Sequence, residues 1–306
     1  MKIVFFGNPE FAASSLKHLN KIQNISIELV VTNPDKKSGR GLSKKMSAVK
    51  KTALDLSYSI YECDNLKNDN IYNFLKSIDA DLFIVVAYKY LPQKIYKLPK
   101  YGTINLHASL LPKYRGASPI QYALINGEKK TGLTTFYINK HIDEGNIISQ
   151  LEIPINDRII FNELYTNLAE LSKDILEDTL KKISTNKDKS TIINNKKNEY
   201  IAPKINKEYF KINWNDSSFN IHNKIRALSY KGAYGLYADK RIKFYDTYYS
   251  NISLGLNIGQ FKINNNTLLI ETGSGHIQSK YIQLEGSKKI TALDFMNSNI
   301  VTHKFE

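Results

Sequence analysis

A chain of 306 residues with 43 Lys and Arg against 29 Asp and Glu has a formal net charge of +14. It is long enough for two domains and basic enough to suit an anionic partner, although a Lys-rich solvated surface gives the same balance. The single cysteine, Cys63, excludes an intramolecular disulfide and fits a reducing, cytoplasmic setting. No apolar run approaches the roughly 20 residues of a membrane span, and Met1 to Gly7 is too short for a signal core, so no membrane partner is expected.

The first half alternates strand and helix patterns. Lys2 to Phe6, Ser26 to Val31 and Asp81 to Ala87 are short runs rich in β-branched residues that suit strands buried on both faces. Pro9 can begin a helix with Phe11, Ala12, Ser15, Leu16 and Leu19 on one stripe. A second helix carries Ile71, Phe74, Leu75 and Ile78 at helical spacing. This alternation predicts an α/β fold, a doubly wound, Rossmann-like parallel sheet. The Gly7-Asn8-Pro9 turn lacks Gly-x-Gly-x-x-Gly and puts proline where a phosphate cradle needs amide donors, which argues against a dinucleotide oxidoreductase.

Tyr101 to Ile104 reads as a further strand and Ser118 to Asn126 as a helix, with Asn105-Leu106-His107-Ala108-Ser109-Leu110-Leu111-Pro112 between them. His141 to Asn146 lies in a turn between two more strands. A long helix follows, with Leu164, Leu168, Leu171, Ile175 and Leu180 on its buried face. From Ser184 to Asn198 the composition shifts to Asn, Lys, Asp, Ser and Thr. Residues 1–189 are therefore expected to form one domain, 190–206 a linker and 207–306 a second domain. The last part has a short helix, Ser217 to Leu228, and five strand-like pieces: Tyr234 to Tyr237, Arg241 to Tyr245, Gly259 to Ile263, Leu268 to Glu271 and Tyr281 to Leu284. Five short strands suggest a small β-barrel.

An amide and an imidazole two residues apart on an extended segment project the same way. Asn105 and His107 can then both donate to one developing oxyanion, as acyl transfer requires. Asp143 can orient the imidazole and stabilise its charged form. An Asn-x-His pair by itself can equally satisfy local backbone. Ser109 and Thr135 carry hydroxyls but sit in no activating motif, and no metal site is expected.

These segments together resemble the folate-dependent formyltransferases. The resemblance begins at Ile3-Val4-Phe5-Phe6-Gly7-Asn8-Pro9-Glu10-Phe11-Ala12 and continues through Pro34-Asp35, Gly39-Arg40-Gly41, Val85-Val86-Ala87-Tyr88 and Leu91-Pro92. It then takes in the Asn-x-His block, Gly116-Ala117-Ser118-Pro119-Ile120-Gln121 and Asp143-x-Gly145. In the last third it appears as Ile225-Arg226-Ala227-Leu228, Gly232-Ala233-Tyr234 and Ile290-Thr291-Ala292-Leu293-Asp294-Phe295. The Asn-Leu-His-x-Ser-Leu-Leu-Pro block is the specific part. The basic loop and the last third point to the tRNA-directed branch of the family.

The resemblance implies a set of expectations. The C-terminal domain would be an OB-like barrel, and Asn105, His107 and Asp143 would be catalytic. The loop Ser109, Leu110, Leu111, Pro112 and the turn Tyr88, Lys89, Tyr90, Leu91 would surround the pterin of 10-formyltetrahydrofolate, the cosubstrate. Relatives often carry glycine where Lys89 stands. The acceptor would be initiator tRNA charged with methionine. The segment 33–51 holds Lys36, Lys37, Arg40, Lys44, Lys45, Lys50 and Lys51 against the one acid Asp35, with Arg40 matching the family's arginine at the acceptor-stem end. Lys224, Arg226, Lys240, Arg241 and Lys243 are further candidates for phosphate contacts. A monomer is expected. Two alternatives stay open: formylation of glycinamide ribonucleotide or an amino sugar, and a non-catalytic RNA-binding relative.

Overall fold

The computed structural model describes residues 1–38, 43–187, 200–297 and 303–306. The chain divides into two compact units. The first comprises Met1–Gly116, Thr131–Ile153 and Tyr165–Ile201, and the second comprises Ala117–Lys130, Pro154–Leu164 and Ala202–Glu306.

In chain order the elements run β1 (Lys2–Gly7), α1 (Glu10–Leu19), β2 (Ser26–Thr32), β3 (Lys36–Ser38), β4 (Ser43–Lys45), α2 (Ala48–Asp55), β5 (Ile60–Glu62), α3 (Asp69–Ile78), β6 (Leu82–Val86), α4 (Gln93–Tyr96) and β7 (Thr103–His107). Then come α5 (Pro119–Ile125), β8 (Lys130–Tyr137), β9 (Ile147–Pro154) and α6 (Phe161–Ser184). After a 3-10 turn at Glu208–Phe210 follow α7 (Ser218–Ala227), β10 (Tyr234–Tyr237), β11 (Lys240–Ser250), β12 (Phe261–Asn264), β13 (Thr267–Glu271), β14 (His276–Leu284), β15 (Lys289–Thr291) and α8 (Ala292–Met296).

The first unit is built on a seven-stranded sheet in the order β5-β2-β1-β6-β7-β8-β9. The pairings among β5, β2, β1, β6 and β7 are all parallel. Strands β1 and β6 are apolar along almost their whole length and buried, as parallel strands covered on both faces must be. The core around them includes Phe6, Val31, Leu75, Phe83 and Ile95. The order reverses between β1 and β6, and in open α/β sheets ligands bind in the crevice beyond the carboxyl ends of the strands at such a reversal. Those ends are Gly7, Val86 and, one strand further, His107.

Two features differ from the sequence expectation. The sheet is mixed, because β8 runs antiparallel to β7; a hydrophobic run does not record strand direction. Strand β7 also continues past Ile104 through His107. Asn105 pairs with Val85 on one side and Phe136 on the other, so the polar residues that seemed to end the strand are inside the sheet.

In the second unit β10-β11-β14-β13-β12 form an antiparallel sheet, and β15 also pairs with β14. Strand β14 is shared along its length: residues 276–279 pair with β13 and residues 281–283 with β15. That explains why only Tyr281 to Leu284 stood out in the sequence. The first half of the strand carries His276, Gln278 and Ser279. Its core contains Trp214, Ile221, Ile225, Phe244, Phe295 and Phe305. The Ile-Thr-Ala-Leu-Asp-Phe segment is a capping box. Thr291 accepts from the backbone of Asp294, whose carboxylate accepts in return from Thr291, and Phe295 enters the core.

Candidate functional site

Asn105 and His107 lie within β7, on one face by the two-residue period of the strand. Asn105 is half-buried, and its side chain makes no hydrogen bond among the described residues. His107 is buried, and its Nε2 lies 2.9 Å from the carbonyl oxygen of Tyr114. A carbonyl only accepts, so Nε2 carries the proton and the tautomer is set there. The other nitrogen, Nδ1, stands 3.8 Å from Oδ2 of Asp143, which in turn accepts from the backbone N–H of Gly116 at 2.9 Å. An oxygen or nitrogen lying off that 3.8 Å line can come within about 2.8 Å of both atoms.

One loop therefore holds both the imidazole and the carboxylate. Tyr114 sits in the left-handed region at φ 62° and is buried. A non-glycine residue there costs on the order of 1 kcal/mol, so its surroundings must hold it. The Arg115 guanidinium pairs with Glu144 at 2.5 Å, tying this loop to the one carrying Asp143. Gly145 is needed for contact: a Cβ there would lie 1.5 Å from the carbonyl oxygen of Tyr137. This gives the Asp-x-Gly spacing a steric reason.

The loop Ser109–Pro112 is pinned by two residues that the sequence did not single out. Thr134 Oγ1 donates to the Ser109 carbonyl at 2.6 Å and accepts from Leu111 N at 3.1 Å. Gln150 Nε2 donates to the Leu111 carbonyl at 2.8 Å and to Thr134 Oγ1 at 3.0 Å. The Ser109 hydroxyl is buried and donates to the Lys113 carbonyl at 2.7 Å, which leaves it a structural group. Leu111 packs on Phe136, Leu110 is half-buried and Pro112 is exposed. The antiparallel pairing of His107 with Thr134 was the missing information, since it places β8 under this loop. Thr134→Val should leave three backbone or amide partners short of a bond and lower the unfolding free energy by about 1–3 kcal/mol, measured by denaturant titration.

In the turn after β6, Ala87 takes φ 47°. Tyr88 packs on Phe6 with ring centroids 5.9 Å apart, and burial pushes its phenol well above the ordinary range. Lys89 folds back, its Nζ donating to the carbonyls of Cys63 at 3.1 Å and Asp64 at 2.7 Å. Leu91 lies in the core and Tyr90 is exposed. The long side chain at position 89 is thus accommodated by the segment after β5.

The basic candidates separate. Lys36, Lys37, Lys44 and Lys45 lie on the two strands of the β3–β4 hairpin, a paired structure where a loop was expected. Arg40 lies outside the described residues. Lys50 is engaged by Asp35 at 2.9 Å and Glu62 at 2.8 Å. Lys240 and Arg241 are exposed, with Arg241 over the Tyr234 ring at 4.8 Å. Arg226 is a correction. It is 3% exposed, and its guanidinium donates to Asn223 Oδ1 at 2.9 Å and to the carbonyls of Asn156 at 2.9 Å and Ile159 at 3.3 Å. No face of it is left for a phosphate. Lys224 is likewise half-buried, donating to the Lys211 carbonyl at 2.7 Å, and burial depresses its pKa. A charged residue on a helix gives no sign in the sequence of which face it takes.

Among the described residues no group of three or more His, Cys, Asp or Glu side chains could hold a metal, and no helix is long and apolar enough to cross a membrane.

Residues 1–180 match the formyl transferase family and residues 204–299 the formyl transferase C-terminal domain. The methionyl-tRNA formyltransferase of Thermodesulfovibrio yellowstonii is 41% identical to the chain, covering 96% of it and 95% of the relative. The methionyl-tRNA formyltransferase of Clostridium novyi is 37% identical, covering 98% of each. Among solved structures, the sugar 3N-formyl transferase WlaRD, crystallised in the presence of dTDP and 5-N-formyl-THF, is similar over 94% of this chain and 99% of its own. Its sequence identity is 26% and its TM-score 0.66.

Proposed function

The chain belongs to the methionyl-tRNA formyltransferases, and from that footing we propose that it transfers a formyl group from 10-formyltetrahydrofolate to the α-amine of methionine on charged initiator tRNA. The observation that carries the mechanism is the meeting of His107 and Asp143 across 3.8 Å, with Asn105 two residues earlier on the same face of β7. 10-Formyltetrahydrofolate supplies the formyl carbon, and the free amide of Asn105 at the carboxyl end of β7 suits a carbonyl acceptor. The loops Ser109–Pro112 and Tyr88–Leu91 would hold the folate.

The side chains then divide the work. Asn105 donates an amide N–H to the oxygen that gains negative charge as the amine adds to the formyl carbon. His107 already gives its Nε2–H to Tyr114, so its donation to that oxygen is from Nδ1–H of the doubly protonated ring. Asp143 offsets the positive charge. As the new C–N bond forms, the amine must shed a proton. Asp143 accepts it, directly or through water, and passes it to the N10 nitrogen as the old C–N bond breaks. The products are formylmethionyl-tRNA and tetrahydrofolate.

The alternative acceptor, an amino sugar as in WlaRD, is disfavoured because the methionyl-tRNA relatives match at higher identity across both units. Arg40 tests the choice of acceptor. Arg40→Leu is expected to depress transfer to charged initiator tRNA by about tenfold or more while folate binding is kept, the loss of one charge-assisted contact. Equal kcat/KM for variant and wild type would remove Arg40 from acceptor recognition.

A further inference from the structure

The loop that holds the imidazole is itself held by a short stretch of chain far away in sequence. The carbonyl of Tyr200 accepts from the backbone N–H of Tyr114 at 2.6 Å. Their rings pack at 5.8 Å between centroids, tilted by 58°. Arg115 forms a parallel bridge with Ile201, and Lys113 Nζ lies 4.8 Å from the centre of the Tyr200 ring. Residues 200–201 are therefore laid along 113–115, immediately before the second unit resumes at Ala202.

From this we infer that Tyr200 is a positioning residue for His107, acting through the backbone of Tyr114. Tyr114 needs holding because its φ of 62° is one that a side-chain-bearing residue rarely adopts. With Tyr114 in that conformation its N–H meets the Tyr200 carbonyl on one side, and its own carbonyl meets His107 Nε2 on the other. Two residues on, the Gly116 N–H meets Asp143. Removing the Tyr200 ring takes away both the packing on Tyr114 and the surface over which Lys113 lies. The loop can then relax, and the aim of the Tyr114 carbonyl at Nε2 is lost. Among the described residues Tyr200 makes no hydrogen bond or ring contact to His107 or Asp143, so its influence runs through the main chain. The inference rests on the proposed catalytic role of His107.

The test uses the full-length protein with Tyr200→Ala, Tyr200→Phe and His107→Ala measured side by side. Tyr200→Ala should lower kcat by about 10- to 100-fold, the scale of an ångström of misplacement, with KM for folate and for charged tRNA held within about twofold. Tyr200→Phe keeps the ring and should restore kcat. The fall in kcat at unchanged KM, restored by Tyr200→Phe, is the readout that a general loss of stability would not give. Wild-type kcat in Tyr200→Ala, an equal loss in Tyr200→Phe, or a raised KM with kcat unchanged would each overturn the inference. If His107→Ala were fully active, the failure would lie instead in the role given to His107.

Discussion

His107→Ala is expected to lower turnover by about 10²–10³-fold, the usual cost of removing one donor from a developing oxyanion. Asn105→Ala should lose a similar factor. The double variant should fall short of the product of the two, because both donors serve one oxygen and the second has little left to stabilise once the first is gone. Folate affinity should survive in all three, since the loop Ser109–Pro112 is pinned by Thr134 and Gln150 and not by Asn105 or His107. Single-turnover rates with saturating folate and charged tRNA measure this directly. Near-normal turnover in either single variant would remove that residue from the chemistry.

Arg226→Met should act on stability and leave RNA binding electrostatics alone. The guanidinium bonds the carbonyls of Asn156 and Ile159 and the amide of Asn223 from a buried position. Hydrogen bonds to a charged donor are each worth about 1.5–3 kcal/mol, so losing all three should cost about 4 kcal/mol or more, read in a denaturant titration. Beside it, His222 bonds the Asp157 carbonyl through Nε2 at 2.7 Å. The two side chains together hold the segment 156–159 onto α7. The slope of log affinity for tRNA against log salt should be unchanged in Arg226→Met. It should drop by about 0.7–0.9 in Arg241→Ala if that exposed residue contacts a phosphate. A reduced slope in Arg226→Met with unchanged stability would reverse the assignment.

The contrast between Arg226 and Arg241 shows where the sequence was informative. Period-two and period-three-to-four patterns record burial, and they located β1, β2, β6, α1, α3 and α7 to within a residue or two. The Asn-x-His block recorded direction, because its two-residue spacing is enough to put both side chains on one face of a strand. What could not be read were relations between distant segments. The hydroxyl of Thr134 beneath the Ser109–Pro112 loop depends on the antiparallel partnering of β7 and β8. The carbonyl of Tyr114 on His107 depends on a positive φ that no local glycine signals. The tautomer-setting partner of the imidazole is thus that carbonyl, with Asp143 standing off at Nδ1.

Segmentation followed the same logic. A change in composition after Ser184 suggested a cut at residue 189. The second compact unit nevertheless includes residues 117–130 and 154–164, with α5 and the Asn156–Ile159 segment packed on α7. Gly127 is one reason: at φ 65° it lies so close to Phe219 that a Cβ would be 2.5 Å from the ring. A fragment ending at 189 would strip these segments of their partners, even though the two family matches, to residues 1–180 and 204–299, fall on either side of that cut.

The most direct measurement is formyl transfer from 10-formyltetrahydrofolate by the full-length protein to methionine-charged initiator tRNA. Methionine-charged elongator tRNA, glycinamide ribonucleotide and a dTDP-linked amino sugar serve as competing acceptors. The account predicts that kcat/KM for charged initiator tRNA exceeds that for every other acceptor by at least about 10²-fold, the equivalent of roughly 2.7 kcal/mol of discrimination. Equal or faster transfer to the amino sugar or the ribonucleotide, or no transfer to initiator tRNA at all, would contradict it.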